Sequence, residues 1–184
     1  MSAAMLLDRA LARGALIATA ESCTGGLVAG AITEIPGSSE VFERGFVTYS
    51  NAAKTDLLGV PAEMIEAEGA VSEAVAGAMA KGALDRSHAT LAVAITGVAG
   101  PGASERKPEG MVCFGLAQDN DVHVETLHFG AIGRGAVRAG SRTHTNIGIE
   151  RTANHTATKT VVARTFSPVC GSRPNSGVSG RTNP

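Results

Sequence analysis

Residues 15–26 read ALIATAESCTGG, a short apolar run followed by a polar turn that ends in two glycines. The run ALIATA (15–20) is bounded on both sides and too short for a typical helix, which predicts a buried strand. A helical pattern then resumes over residues 24–33 and is stopped by Pro36 and Gly37. This part of the sequence therefore predicts a strand that turns sharply into a helix, as in layered α/β domains.

The same alternation of apolar strands and helical patterns continues along the chain. LAVAIT (91–96) is a second fully apolar run, as expected of a strand that is buried on both faces. Two strand-like runs on either side of residues 118–121 predict an antiparallel hairpin. The sequence thus predicts an α/β domain with a mixed sheet. The remaining predicted elements are helices over 3–13, 51–58 and 72–84, a short helix with Pro61 at its first position, and strands over 45–50, 111–117 and 122–129.

Length and charge distribution predict one folded domain followed by a tail. The chain has 184 residues, 43% of them apolar and 18% charged, and a formal net charge of −1. Residues 139–184 contain six of the 16 basic residues but only one of the 17 acidic ones, and the last leucine is Leu127. We predict a folded domain over 1–140 and a basic, leucine-free, poorly ordered tail over 141–184. Contact of this tail with nucleic acid is the alternative.

Composition excludes several classes of protein. Aromatic residues make up 3% of the chain, with no Trp and one Tyr, so the stacking surfaces that bind single-stranded nucleic acid are not available. The near-neutral net charge does not provide the positive surface that binding of DNA or RNA requires. No apolar run is long enough to span a membrane. Cys23, Cys113 and Cys170 are too few and too widely spaced for a disulfide framework or a zinc site. We expect a cytoplasmic protein that binds no metal, membrane or nucleic acid.

The turn after the first strand has two interpretations. A strand that leads directly into a helix presents its turn residues beside free backbone N–H groups. Ser22 in such a turn suits a nucleophile with an oxyanion site, or the turn binds an anion. The alternative is that Ser22 or Thr24 simply caps the helix. The spacing of a phosphate-binding P-loop is absent.

Two further polar stretches follow predicted strands. In TYSNAAK (48–54), Asn51 is predicted to cap a helix, which places Lys54 in its first turn. Partial burial and the helix dipole would lower the pKa of Lys54, so that it could act as a base beside a serine; the alternative is a solvated surface lysine. The glycine-rich stretch 96–104 would allow a phosphate to approach the backbone, unless it is only a loose loop. Ligands of open α/β sheets bind where such strand ends meet.

These motifs together resemble one family. AESCTGG (20–26), TYSNAAK (48–54), and ITGVAGPG (95–102) followed by KPEGMV (107–112) closely resemble the CinA C-terminal domain family. The resemblance implies a three-layer α/β/α sandwich with a mixed, mostly parallel sheet and a C-terminal antiparallel hairpin. It also implies an amidase without metal or cofactor, which converts nicotinamide mononucleotide to nicotinate mononucleotide and ammonia.

The resemblance also implies roles for individual residues. Ser22 would be the nucleophile, Lys54 its base, and Tyr49 would support this pair or the substrate carboxamide. The phosphate and ribose of the nucleotide would be held by the turn after Ser22 and by the loop 97–102, with Arg134 near the substrate. The substrate-binding residues implied in this way are Thr24, Gly25, Gly26, Asn51, Thr96, Gly97, Gly100, Gly102 and Arg134.

Other functions and two departures from the family pattern stay open. A catalytically idle domain that binds a nucleotide or a partner is the alternative from another class, and an amidase for a different small amide is the third. We expect a small nucleotide as partner and a homo-oligomer as the assembly. The loop after Gly102 is shorter than is usual in the family. The final helical pattern begins in IGRGAVRAGS (132–141) and then gives way to the leucine-free tail, which predicts that part of one sheet face lacks its cover.

Overall fold

A computed structural model describes residues 3–104 and 106–152 of the protein. The elements alternate along the chain much as the sequence predicts, with six α-helices and five strands in the described part. A short 3₁₀ turn, Ser38–Glu40, precedes the second strand. The helices are α1 Ala3–Arg13, α2 Leu27–Thr33, α3 Asn51–Leu58, α4 Ala62–Glu68, α5 Glu73–Asp85 and α6 Arg134–Thr152, and the strands are β1 Ile17–Glu21, β2 Phe42–Val47, β3 Leu91–Gly97, β4 Met111–Gln118 and β5 Asp121–His128.

The five strands form one mixed sheet in the order β2-β1-β3-β4-β5. β1 pairs in parallel with both β2 and β3, so that Thr19 lies between Gly45 and Val93. β4 is antiparallel to β3 and to β5, which confirms the predicted C-terminal hairpin. Four of the five strands therefore point in one direction. The carboxyl ends of β1, β2 and β3 meet at the same edge of the sheet.

Helices cover both faces of the sheet, which confirms the three-layer α/β/α sandwich. Alternate residues of the central strands point to opposite faces. On one side, the larger residues such as Ile17, Val93 and Ile95 pack with α1, α2 and α6. On the other side, alanines such as Ala18 and Ala94 pack with α3, α4 and α5. Because these alanines are small, α5 can approach the sheet closely.

Several element boundaries differ from the sequence prediction. β2 begins at Phe42 and ends at Val47, whereas the strand was expected over 45–50, because the pairing with β1 starts at Ile17 opposite Phe42. α2 begins only at Leu27, since Gly25 and Gly26 adopt positive φ angles and extend the turn. Pro61 is the N-cap of α4 and not its first helical residue.

The last helix continues across the predicted domain limit at residue 140. α6 runs from Arg134 to Thr152 and packs against α1, α2, β3 and β4. Val137, Ser141 and Thr145 lie on its buried face at four-residue spacing. The Ser141 and Thr145 hydroxyls donate to the carbonyls four residues earlier, so these polar side chains are satisfied without an apolar replacement. The prediction of an uncovered sheet face is wrong for this region, and the predicted tail beyond Thr152 lies outside the described residues.

Candidate active site

A cavity of about 390 Å³ opens at the carboxyl ends of β1 and β3. We call it the Ser22 cavity. The three polar stretches that were singled out from the sequence all contribute to its wall, as expected for ligand sites of open α/β sheets. Nine of the predicted site residues line it: Ser22, Tyr49, Asn51, Lys54, Thr96, Gly97, Gly100, Gly102 and Arg134.

Ser22 and Lys54 form a buried hydrogen-bonded pair in this cavity. Lys54 Nζ lies 3.0 Å from Ser22 Oγ and donates to the Thr48 carbonyl at 2.9 Å. The Lys54 side chain is only 1% exposed and Ser22 is 8% exposed. Because burial disfavours the ammonium form, the pKa of Lys54 lies below the usual lysine value. The geometry and the lowered pKa suit a nucleophile with an adjacent base.

The local sequence explains how Lys54 reaches Ser22. The N-cap of α3 is Ser50 and not Asn51, because the Ser50 hydroxyl accepts from the Ala53 amide at 3.1 Å. Asn51 becomes the first helical residue and lines the cavity. Lys54 then follows in the first turn, on the face of α3 that is directed toward the sheet. The cap therefore starts the helix where the amine can meet the end of β1.

Glu21 is a functional-site residue that the sequence analysis missed. Its buried carboxylate accepts hydrogen bonds from the amides of Gly26, Val28 and Ala29, at 2.9, 3.1 and 2.8 Å. A carboxylate at a helix N-terminus is favoured by the helix dipole. Glu21, rather than Ser22 or Thr24, therefore caps α2. A possible signal in the sequence was an acid placed between the strand and the start of the helix.

Three predicted substrate-binding residues lie outside the wall of the Ser22 cavity. Thr24 is buried, and its carbonyl accepts from Arg138 at 2.9 Å. Gly25 and Gly26 supply the positive φ angles of the turn, and the Gly26 amide is already bonded to Glu21. These residues shape the turn that presents Ser22. Their expected contact with phosphate and ribose is not supported by this placement.

Two backbone amides, those of Cys23 and Thr24, directly follow Ser22 in the turn after β1. Among the described residues, the N–H groups of Cys23 and Thr24 donate to no backbone or side-chain oxygen. They follow Ser22 directly, where an oxyanion formed on attack by its hydroxyl could be held. Burial raises the pKa of the Cys23 thiol to about 11. Cys23 therefore stays protonated near neutral pH and is a poor nucleophile.

Arg134 links two sides of the cavity mouth. Its guanidinium donates to the Tyr49 hydroxyl at 2.7 Å and to the Gly100 carbonyl at 3.0 Å. Tyr49 is 59% exposed and lies at the rim, whereas Ser22 and Lys54 are buried. The structure thus brings Tyr49 and Arg134 together as a bridge over the opening, and Tyr49 makes no hydrogen bond to the buried pair in the described structure.

The glycine-rich loop is held by its own neighbours. The Gly102 amide donates to the Glu109 carboxylate at 2.7 Å, and the Thr96 hydroxyl donates to the Ala70 carbonyl at 2.8 Å. Gly100 has a φ of +82°, a conformation that residues with a side chain rarely adopt, which explains why a glycine stands there. Glu109 is a second residue that sequence reasoning missed. The loop offers a shaped wall, but the Gly102 amide is not free for an anion.

Comparison with known proteins places this site in a family. A family model described as the CinA C-terminal domain matches residues 1–152. The chain belongs to the CinA C-terminal domain family. This membership confirms the resemblance that the sequence motifs indicate, and the match ends at the last residue of α6.

Solved structures of the CinA superfamily share the fold. The competence/damage inducible protein CihA from Agrobacterium tumefaciens is 48% identical, with a TM-score of 0.75, over 80% of this chain and 92% of that chain. The competence damage-inducible protein A (ComA) from Klebsiella pneumoniae is 32% identical, with a TM-score of 0.81, over 84% of this chain and 96% of that chain.

Curated CinA relatives are longer than this chain. A CinA-like protein from Chlorobium phaeobacteroides is 58% identical over 123 residues, which are 65% of this chain and 29% of the relative. A CinA-like protein from Mycolicibacterium gilvum is 62% identical over 109 residues, which are 59% of this chain and 26% of the relative. The chain thus spans less than a third of the length of these relatives.

Membrane-spanning helices and clusters of metal ligands are both absent from the described residues. None of the helices described is long and apolar enough to cross a membrane. Within 3–104 and 106–152, no group of three His, Cys, Asp or Glu side chains is arranged to hold a metal ion.

Proposed function

We propose that the chain is an amidohydrolase that deamidates nicotinamide mononucleotide to nicotinate mononucleotide and ammonia. The observation that carries this proposal is the buried contact between Lys54 Nζ and Ser22 Oγ. A binding module has no need of a lysine that is buried beside a serine without a carboxylate partner, because such burial costs stability. In an amidase the same arrangement supplies the base that activates the hydroxyl.

The first half of the reaction forms an acyl-enzyme. Neutral Lys54 accepts the Ser22 hydroxyl proton as Oγ attacks the carboxamide carbon, and the carbonyl electron pair moves to oxygen. The amides of Cys23 and Thr24 stabilise the resulting oxyanion. When the intermediate collapses, the C–N bond breaks and Lys54 returns the proton to the departing nitrogen, which leaves as ammonia. Tyr49 and Arg134 at the rim hold the substrate in place.

The second half releases the carboxylic acid product. Water attacks the ester carbon while Lys54 accepts a proton from it. The bond to Ser22 Oγ then breaks, and Lys54 returns this proton to the serine. The sum of the two halves is one amide and one water converted to one acid and one ammonia, with no cofactor consumed. Lys54 must be deprotonated at the start of each half, which fits its lowered pKa.

The test is ammonia release from nicotinamide mononucleotide by the purified full chain. We expect Ser22→Ala and Lys54→Met each to lower the rate by at least about 1000-fold, since both act in one catalytic unit. Lys81→Met removes the same charge from an exposed lysine on α5 and should retain the wild-type rate. Circular dichroism shows whether each variant is folded. Activity within tenfold of wild type in folded Ser22→Ala would refute the nucleophile assignment.

The alternative functions give different results in the same assay. A catalytically idle nucleotide- or partner-binding domain would release no ammonia from any amide. An amidase for another small amide would be inactive on nicotinamide mononucleotide but active on a member of an amide panel, and its activity would still depend on Ser22. The relatives with competence/damage-inducible names leave these possibilities open, because those names state no reaction.

The expected location and assembly remain proposals. Cys23 and Cys113 are free, buried thiols in the described part of the chain, as suits a reducing cytoplasm. Val122 and Val124 are exposed on the edge strand β5, a surface where a second copy could pack. We therefore propose a cytoplasmic homo-oligomer.

A further inference from the structure

We propose that a second cavity, lined by Arg106 and Lys107 beside the Ser22 cavity, binds the phosphate group of a nucleoside monophosphate substrate. The inference rests on the proposed function, and it deepens that function by naming the part of the substrate that this chain selects. We call this space the basic cavity. It has a volume of about 370 Å³.

The basic cavity adjoins the Ser22 cavity. Four residues line both spaces: Asn51, Ala70, Val71 and Ser104. A ligand with its carboxamide at Ser22 could thus extend past this shared wall into the second space. Small-molecule sites commonly combine such neighbouring compartments with a few charged groups that fix orientation. The remaining lining residues are Ile65, Glu66, Gly69, Arg106 and Lys107.

The charges of the basic cavity favour an anion. Arg106 and Lys107 are both cationic, and Glu66 is the one acid among those lining residues that the structure describes. Arg106 donates through one guanidinium nitrogen to the Glu66 carbonyl at 2.8 Å, which fixes the group and leaves its other nitrogens available. Lys107 Nζ donates to no acceptor in the described part of the chain. A guanidinium with an ammonium beside it is a common pair for binding phosphate.

The backbone holds the two cations in place. The Lys107 amide donates to the Ser104 hydroxyl at 3.1 Å, and the Ser104 amide donates to the Lys107 carbonyl at 2.9 Å. Both side-chain stems pass over Gly69, where a Cβ atom would lie 3.9 Å from Arg106 Cδ and 4.0 Å from Lys107 Cε. Lys107 is therefore anchored through its backbone, and Arg106 through its guanidinium bond to the Glu66 carbonyl, so that less entropy is lost on binding.

Two other places near Ser22 where an anion could bind are already occupied by carboxylates. The amides at the start of α2 bind the Glu21 carboxylate, and the Gly102 amide binds the Glu109 carboxylate. A phosphate placed at either position would have to displace a carboxylate of its own charge sign. Arg134 is bonded to Tyr49 and Gly100. The basic cavity is thus the nearby space that brings two cationic side chains together.

The first test compares a nucleotide with the same molecule lacking its phosphate. Ammonia release is measured with nicotinamide mononucleotide and with the corresponding nucleoside, for the wild type and for Lys107→Met and Arg106→Met. Each variant should lower kcat/KM for the nucleotide by about 10- to 100-fold, mainly through KM, as for loss of a charged hydrogen bond. The value for the nucleoside should change by less than about twofold. Lys81→Met, the matched control outside both cavities, should leave both values unchanged.

Equal losses on both substrates, or no loss on the nucleotide, would overturn the inference. A second measurement separates it from the proposed function. Calorimetry gives the affinity of nicotinamide mononucleotide for the Ser22→Ala chain with and without Lys107→Met, and needs no turnover. A tenfold weaker affinity with Lys107→Met supports the phosphate site even if the wild type releases no ammonia, a result that would reject the amidase alone. Equal affinities, or no binding by either protein, reject the phosphate site.

Discussion

Lys54 occupies a position in which its protonated form is unfavourable. The side chain is almost completely buried, and the two acceptors of its amine, Ser22 Oγ and the Thr48 carbonyl, are neutral. Among the described residues, no carboxylate is bonded to the ammonium to compensate for its lost hydration, so the pKa of Lys54 falls. Burial of Lys54 therefore lowers the free energy of unfolding, most strongly when the amine is charged. The same cost makes the free base, the form that the proposed mechanism needs, accessible.

This cost predicts a pH-dependent stability. We expect the free energy of unfolding of the wild type to rise with pH relative to Lys54→Met, until the pH reaches the ordinary lysine pKa of 10.5. Over this window the native state has released the proton while the unfolded state still holds it, so stability grows by up to about 1.4 kcal/mol per pH unit. Below the native pKa both states are protonated and the difference is constant.

Urea denaturation of both proteins across this pH window measures the effect. Loss of the donor to the Thr48 carbonyl in Lys54→Met shifts the variant by a constant amount and leaves the slope unaffected. Lys81→Met serves as the control, because the exposed Lys81 should give the wild-type slope. Parallel pH profiles for the wild type and Lys54→Met would contradict the lowered pKa.

Residue types near strand ends predicted the candidate pair Ser22 and Lys54, but not the carboxylates that hold the surrounding backbone. Ser22 and Lys54 could be paired because each has a chemical role that suits a strand end. Glu21 and Glu109 act by accepting backbone amides of α2 and of the loop at Gly102. Such contacts depend on the direction of a side chain after folding, and the sequence carries no periodic signal for them. Thr24 lies outside the wall of the Ser22 cavity, and its contact with a substrate stays a prediction.

The helix α5 depends on close approach to its neighbours. A Cβ atom at Gly82 would lie 2.0 Å from the Leu58 carbonyl oxygen, and one at Gly115 on β4 would lie 2.3 Å from the Ala76 carbonyl oxygen. Both contacts are with backbone, which cannot rotate away as a side chain does. Leu58 ends α3, the helix that carries Lys54. The spacing of α5 therefore also sets the position of the Lys54 amine.

Gly82→Ala should separate α5 from α3. We expect a loss of about 1–3 kcal/mol in the free energy of unfolding, typical of overpacking, together with reduced ammonia release. Gly30→Ala is the matched control, because Gly30 lies in α2 and nothing is within 4 Å of its added Cβ. Gly30→Ala should be neutral or stabilising by up to about 1 kcal/mol, since alanine favours helices. Urea denaturation measures both; equal effects of the two variants would refute the contact.

At the level of elements, periodicity identified most helices and strands and failed at their ends. α3 was predicted with its observed bounds, because a cap and a C-terminal glycine enclose it. The predicted range of β2 lay three residues too far along the chain. Pairing with β1, and not the apolar pattern of β2 itself, sets where this strand begins. α6 extends beyond the prediction because Ser141 and Thr145 bond within the helix and fill buried positions that apolar side chains usually occupy.

For the whole molecule, the core and the site lie within the part of the chain that the family model matches. Among the described side chains, the buried ones extend from Leu7 to Thr145. The family match covers residues 1–152, and all elements of the sheet fall inside it. Residues 153–184 contain only five large apolar residues: Val161, Val162, Phe166, Val169 and Val178. Such a segment has little apolar surface with which to stabilise the domain.

A chain that ends after Thr152 should therefore fold and act like the full-length protein. We expect the free energy of unfolding to stay within about 0.5 kcal/mol and the rate of ammonia release within about twofold, because no buried side chain of the described core is removed. A chain that ends after Gly140 is the informative contrast. It loses Ser141, Thr145 and the second half of α6, so the packing of α6 on α1 and β4 is shortened. Denaturation and the ammonia assay compare the three lengths, and a stability loss above about 1 kcal/mol for the chain that ends after Thr152 would show that the basic tail contributes to the fold.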